Sequence, residues 1–400
     1  MNTDTVTYLP ALGIVSALGQ GKNDVRRNLF AGDRPGVISR NDMLVDGTPV
    51  FVGEVPGALP EIPEELSVYA SRNVAMTIAA ADEIRADIED AIARYGRDRV
   101  AVVIGTSTSG ISEGERAIEY ARAEGKLPTG FDMRKQELGS AGEALARYLN
   151  VEGPALSVST ACSSGAHALA MGRRLIQSGI VDAVVAGGAD SLCRLTVNGF
   201  HALSAYATGI CNPFSRNRDG TMIGEGAALF LMESRESEVA LYGTGASTDA
   251  HSMTAPEPSG TGLEHAIRQA LGDAGLTTAQ VDYVHLHGTG TLHNDPVESD
   301  VVSRLFGIDI PSSSSKGQLG HTLGAAGAMG AAHCWLSAHS SNPDRYLPPH
   351  IWDGAAEPGM LSEALVPVGM KLGAHAKGMF LSNAIAFGGN NVALVLGRAA

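Results

Sequence analysis

Residues 157–172, SVSTACSSGAHALAMG, set one thiol, Cys162, where a short apolar run gives way to small residues. A cysteine at a helix start meets unpaired backbone N–H groups and the positive end of the helix dipole. Both favour a thiolate, and the same N–H groups can hold the oxyanion of a thioester under attack. Ala161, Ser163, Ser164 and Gly165 leave room for an acyl group. The competing reading is an inert buried thiol among residues suited to close helix packing. Two of the 12 histidines, His287 in HGTGT and His321 in QLGH, also stand in strand-end contexts rich in Gly and Thr. Imidazoles beside a thiol can serve a hydrolase, which needs one base oriented by an acid or amide; two histidines better suit stabilising an enolate. Lys316 precedes His321 by five residues, after PSSSS, and its small, apolar flanks predict a buried ammonium. Such a charge needs a partner, and Asp295 and Glu298 are the carboxylates at hand.

The elements that must hold these groups repeat along the chain. VAVVIGTSTSG (100–110) and YVHLHGTGT (283–291) both read as a buried strand running into a glycine turn. VSTACSSGA (158–166) and QLGHTLGAAGA (318–328) present Cys162 and His321 in matching places, and VVAGGAD (184–190) and IAFGGNN (385–391) both read as strand then Gly-Gly. Three landmarks in the same order predict a tandem duplication. The expected halves are residues 1–240, with cap insertions at 111–150 and 193–226, and residues 241–400. Helical patterns such as GLEHAIRQALGDAG (262–275) alternate with the strands, which predicts an α/β protein with two mixed sheets covered by helices. Pseudo-twofold packing of the halves would bring Cys162 and His321 together across the axis, with His287 reaching the same place.

Composition removes several alternatives. A formal charge of −14 with no cluster of Lys and Arg excludes nucleic acid as a natural partner. The four cysteines are widely spaced with no C-x-x-C pair, against a metal site or disulfide framework. The G-x-G fragments at 243–245 and 260–262 lack a dinucleotide fingerprint. No apolar run is long enough for membrane insertion and the N-terminus does not read as a signal peptide, so a cytoplasmic protein is expected. Gly388 and Gly389, after Phe387, supply a tight turn where backbone N–H can approach a ligand.

Cys162 in TACSSG, His287 in HGTGT, Lys316 and His321 in KGQLGH, and Phe387 in AFGGNN together resemble the elongating, Cys-His-His class of β-ketoacyl-acyl carrier protein synthases, of the thiolase superfamily. The likeness runs over essentially the whole chain and implies a thiolase-like fold of duplicated halves in an α-β-α-β-α arrangement. It implies that Cys162 takes an acyl chain from a carrier protein, with Cys162 and Phe387 N–H groups as oxyanion hole. His287 and His321 then stabilise the charge that arises when malonyl-carrier protein loses CO₂, and the carbanion attacks the acyl-enzyme. By the same likeness Thr289, Thr291 and Thr254 bind the pantetheine arm, Phe387 gates the second substrate, and Thr108 and Phe200 bound the substrate pocket. No metal or organic cofactor is implied; phosphopantetheine belongs to the carrier.

The family commonly has a glutamate nine residues after its second histidine, paired with the lysine, where this chain has Gly330. Lys316 is therefore expected to rely on Asp295 or Glu298. Ala386 stands for a common glycine and predicts a stiffer loop, and the small Thr108 predicts a pocket continuing toward a subunit interface. The segments GTSTSGI (105–111), 199–215, HNDPVES (293–299) and FGGNN (387–391) are similar to synthases of aryl polyene pigments, some of which work with a noncatalytic chain-length-factor subunit. A homodimer or such a heterodimer is expected. Two other functions fit the same residues: a noncatalytic chain-length partner, against which retention of Cys162 argues, and an acyltransferase or thioesterase.

Overall fold

The computed structural model describes residues 6–399. Ten strands cross one sheet: β1 (Thr7–Ser16), β2 (Val100–Gly105), β3 (Ala155–Val158), β4 (Ala183–Asp190), β5 (Gly226–Glu233), β6 (Val239–Thr248), β7 (Tyr283–His285), β8 (Ser312–Ser313), β9 (Met379–Ala386) and β10 (Asn390–Arg398). Their spatial order is β8-β7-β9-β10-β6-β1-β5-β4-β2-β3, with Gly19–Gln20 hairpinned onto β1. Read outward from the middle, each side places its five strands in the same sequence order. Parallel β2/β4 and β2/β3 pairs correspond to parallel β7/β9 and β7/β8, and antiparallel β4/β5 and β5/β1 to β9/β10 and β10/β6.

Two sheets were expected, and the structure joins them: β1 and β6 pair antiparallel at Thr7↔Leu241 and Tyr8↔Ala240, so the halves share hydrogen bonds edge to edge. The third repeat is also corrected. Gly187 and Gly188 lie inside β4, where a Cβ on Gly187 would fall 1.9 Å from the Ala228 carbonyl. Gly388 and Gly389 instead make the turn between β9 and β10 at φ 82° and 78°. One pair permits close strand approach and the other a left-handed turn, so the likeness is one of composition.

Among the helices, five position the site and the sheet around it: α1 (Arg72–Glu83), α2 (Ser164–Gln177), α3 (Thr261–Asp273), α4 (Asn294–Phe306) and α5 (Ala326–Ala338). α1 covers the outer face of β1 and β5, and α3 that of β6 and β10, while α2 and α5 pack on each other between the two halves. Small residues make that central contact possible: a Cβ on Gly165 would meet Ala328 at 2.9 Å, and one on Gly327 would meet Ala166 at 2.6 Å. Nearly every α5 residue is buried, as expected of a helix apolar on all sides. The core follows the layers. Leu12, Leu169, Phe230, Trp335 and Leu394 belong to the central cluster; Met76, Val102 and Leu229 line one outer layer; Leu263, Val284 and Leu381 line the other. At the sheet's end, β3 leaves Ala155 and Leu156 exposed, and the 111–150 insertion exposes Ile118, Leu127, Met133 and Leu138.

Candidate active site

Cys162 sits two residues before α2, after Ala161 at φ 52°. A non-glycine residue in this region costs free energy, and the turn is held by its own hydroxyls. Thr160 N–H donates to Ser164 Oγ at 2.9 Å, and Ser163 Oγ donates to the Thr160 carbonyl at 2.9 Å. The thiol is 6% exposed. Burial pushes it up to about 11; the charge of Lys316 and the N–H groups of Phe387 and Cys162 pull the other way without prevailing. The backbone N–H groups favour the thiolate as expected, but burial outweighs them. Desolvation of a sulfur anion exceeds what the helix end returns, and the resting nucleophile is a neutral thiol.

His321 Nε2 lies 3.0 Å from Cys162 Sγ. The His321 and His287 rings stand edge to face, with centroids 5.2 Å apart. Burial holds both imidazoles well below their ordinary value, and the Lys316 ammonium adds to the effect, so both are neutral at physiological pH. Lys316 Nζ donates to the His287 carbonyl and lies 3.5 Å from His287 Nδ1. An ammonium only donates, so this contact favours an accepting Nδ1 with the His287 ring proton on Nε2. His321 Nδ1 has no partner among the described residues.

The carboxylates do something other than pair with Lys316. Glu298 accepts from the N–H groups of His287 and Gly288, each at 2.7 Å, and from Asn383 Nδ2 at 3.1 Å. Asp295 accepts from Phe214 N–H at 2.8 Å and Gly290 N–H at 3.1 Å. Both lie on the first turn and a half of α4, and they fix the backbone of the HGTGT turn. Lys316 forms no ion pair with either among the described residues, a correction to the expected pairing. Its ammonium is spent on His287, and burial lowers its pKa.

A cavity of about 410 Å³ reaches Cys162, His287 and His321, walled by Phe200, Thr254, Thr289, Thr291 and Phe387 among others. The Phe200 and Phe387 rings stack at 5.2 Å beside the nucleophile. Gly388 and Gly389 lie in the following turn, where Gly388 N–H donates to Met253 O at 2.8 Å. Ala386 is extended at φ −128°, a conformation alanine adopts without strain. Thr108 is not on this cavity's wall; it is buried, with its hydroxyl 2.9 Å from Asp190. The cap segment 193–226 supplies Leu203, Ser204, Ala205, Asp219 and Gly220 to the rim.

Sequence reasoning passed over a buried pair behind the site. His285 Nε2 lies 3.3 Å from His333 Nδ1 and 3.3 Å from Ser315 Oγ, and a Cβ on Gly330 would be 2.9 Å from His285 Nδ1. The HLHG spelling carried the signal, a second histidine two residues before His287 at the end of β7. The sulfur and ring nitrogens of Cys162, His287 and His321 come within 4.8 Å of one another. A soft divalent cation would accept that donor set, but the ammonium against His287 makes the spot better suited to negative charge developing on a substrate.

The models of the β-ketoacyl synthase N-terminal and C-terminal domains match residues 69–238 and 239–351. The 3-oxoacyl-acyl-carrier-protein synthase 2 of Rhizobium meliloti is 36% identical over 65% of this chain and 64% of its own length. Its Coxiella burnetii namesake is 29% identical over 98% of both chains. Among solved structures, the ketosynthase ApeO in complex with its chain length factor ApeC from Xenorhabdus doucetiae superposes with a TM-score of 0.93. It is 40% identical, and the match covers 100% of this chain and 99% of that one. A thiolase-like fold, a thiol facing two neutral imidazoles and these matches agree: the chain belongs to the β-ketoacyl synthase family, enzymes of acyl-chain condensation.

Proposed function

We propose that Cys162 holds the growing acyl chain, that His287 and His321 act on malonyl-carrier protein, and that the enzyme works beside a chain-length-factor-like subunit in an aryl polyene or related pathway. In the first half-reaction the Cys162 sulfur attacks the acyl thioester while its proton passes through His321 to the departing carrier thiol. The N–H groups of Cys162 and Phe387 receive the oxyanion. In the second, imidazole N–H groups donate to the malonyl thioester carbonyl. CO₂ leaves, the carbanion attacks the acyl carbon, and Cys162 departs as a thiolate that takes up one proton. Lys316 is a positioning residue, fixing the His287 tautomer. Thr254, Thr289 and Thr291 line the path for the pantetheine arm, and the Phe200–Phe387 stack is the gate. No metal or organic cofactor enters these steps.

The observation carrying this reading is the neutral Cys162–His321 pair at 3.0 Å, with a second imidazole edge-on and its tautomer favoured by Lys316. The likeness to ApeO with its ApeC partner supports the heterodimer, and the exposed β3 edge is a surface such a subunit could cover. Reduced cysteines suit a cytoplasmic setting; all four are free and buried. The test is to incubate the purified chain, alone and with a chain-length-factor-like subunit, with acyl- and malonyl-carrier protein, following intact carrier mass and CO₂. A two-carbon β-keto extension is expected, strongest with the partner present. Hydrolysis without extension would refute condensation, and equal activity alone would refute the heterodimer.

A further inference from the structure

We propose that Asp190 is a positioning residue that sets the separation of Cys162 and His321. It ends β4 and is fully buried. Its carboxylate accepts from the N–H groups of Ser107 and Thr108 at 2.9 Å, from Thr106 Oγ1 at 2.6 Å, from Thr108 Oγ1 at 2.9 Å and from Gly324 N–H at 2.6 Å. The Ser107 hydroxyl completes the shell. No lysine or arginine forms an ion pair with it among the described residues. A buried charge met only by neutral donors persists where those donors are numerous and held in place, and charge-assisted bonds of this kind are short and directional.

The donors come from both halves of the chain. Residues 106–108 form the turn after β2, which lies against the nucleophile's helix: a Cβ on Gly105 would fall 2.4 Å from Gly165 N. Gly324 lies three residues beyond His321, in the single 3₁₀ turn Leu323–Ala325 before α5. One carboxylate thus ties the backbone beside Cys162 to the backbone beside His321. The joint has no slack. A Cβ on Gly324 would stand 2.6 Å from Asp190 Oδ2 and 2.7 Å from Ser107 N, and Leu323 is held at φ 49°. On its other side His321 N–H donates to Met222 O at 2.6 Å. His321 is therefore pinned at both ends, one of them by Asp190, which touches neither Sγ nor Nε2.

The experiment uses Asp190→Asn, which keeps the shape but turns one acceptor into a donor facing N–H groups. Two readouts are taken: steady-state condensation, and the pH profile of Cys162 alkylation by iodoacetamide. The second does not depend on the condensation reading, so failure of that reading and failure of this one are separable. A folded variant is expected to lose kcat by about 10- to 100-fold, with KM for malonyl-carrier protein changed less than about threefold. Its alkylation profile is expected to shift for two reasons, the displaced imidazole and the lost Asp190 charge, which itself acts on the thiol. The charge-preserving Ser107→Ala and Thr106→Val are therefore measured beside it to isolate the positioning effect. A folded Asp190→Asn with the wild-type alkylation profile overturns the proposal, whatever its kcat. Whether or not that variant folds, Ser107→Ala and Thr106→Val, which each remove one donor hydroxyl and keep the charge, decide the matter. A shifted profile in either supports the role, and a wild-type profile in both overturns it.

Discussion

Replacing His321 by glutamine tests the protonation state of the nucleophile. With the Cys162 thiol pushed up to about 11, the thiolate is a small minority at pH 7.5. A standing anion therefore contributes little, and acylation must proceed with proton transfer to the imidazole 3.0 Å away. Glutamine can hydrogen-bond to the thiol but cannot take its proton. Loss of a positioned base costs about 100- to 10,000-fold, and the acylation rate of Cys162 should fall within that range. The assay is intact-protein mass spectrometry of the acyl-enzyme after mixing with acyl-carrier protein. In parallel, iodoacetamide alkylation of the free wild-type enzyme should climb roughly tenfold per pH unit from 7 to 10, since it follows the thiolate fraction. A plateau below pH 9 would show a preformed thiolate. Wild-type acylation by His321→Gln would show that the imidazole is not the base, and either result refutes the reasoning.

Cys162→Gln, which imitates an acylated thiol, should lose acyl transfer and keep or raise decarboxylation of malonyl-carrier protein, measured as CO₂; that activity should disappear when His321→Ala is added. Gly330→Glu should lower stability by about 3 kcal/mol or more, because it overfills a buried site and adds a charge. Its Cβ alone would lie 2.6 Å from Ser382 Oγ and 2.9 Å from His285 Nδ1, and an unchanged Tm would contradict this packing. Glu298 is raised by burial from 4.5 to about 7, so the folded state holds that proton more tightly than the unfolded chain. Stability from this group is present below about pH 4.5 and is lost as pH rises to about 7, amounting to about 3 kcal/mol. Denaturant titrations should show this as a pH-dependent difference between the wild type and Glu298→Gln, since the buried histidines held below their ordinary value add an opposite slope to both.

The chemistry-bearing residues were legible because each sits where local sequence announces a break. Cys162 follows an apolar strand and precedes small helical residues, and His287 and His321 stand beside the glycines that free their turns. Duplication then predicts that two of them, Cys162 and His321, face each other. The join of β1 to β6 was not legible, since a two-residue edge pairing leaves no periodic trace. The Gly-Gly pairs misled for a related reason: composition records that glycine is needed, not whether a close approach or a left-handed φ needs it.

Electrostatics was least legible, and the errors share one cause. A helix start at Cys162 and two carboxylates after His287 are local features, whereas the cost of charge depends on how completely the fold removes water. Here it removes nearly all of it. The thiol rises, the imidazoles stay neutral, and Asp295 and Glu298 are spent on backbone N–H groups rather than on Lys316. With no ion pair among the described residues, and Glu298 and Asp295 acting on it only at longer range, Lys316 puts its positive field on His287 and on the thiol. That field is worth most when charge appears: on the carbonyl oxygen as CO₂ departs, and on sulfur as Cys162 leaves. A carboxylate brought against Lys316 would cancel it. On this reasoning the absence of an acid at position 330 favours the charged stages of the reaction, while His285, held against Gly330, fills the space without adding charge.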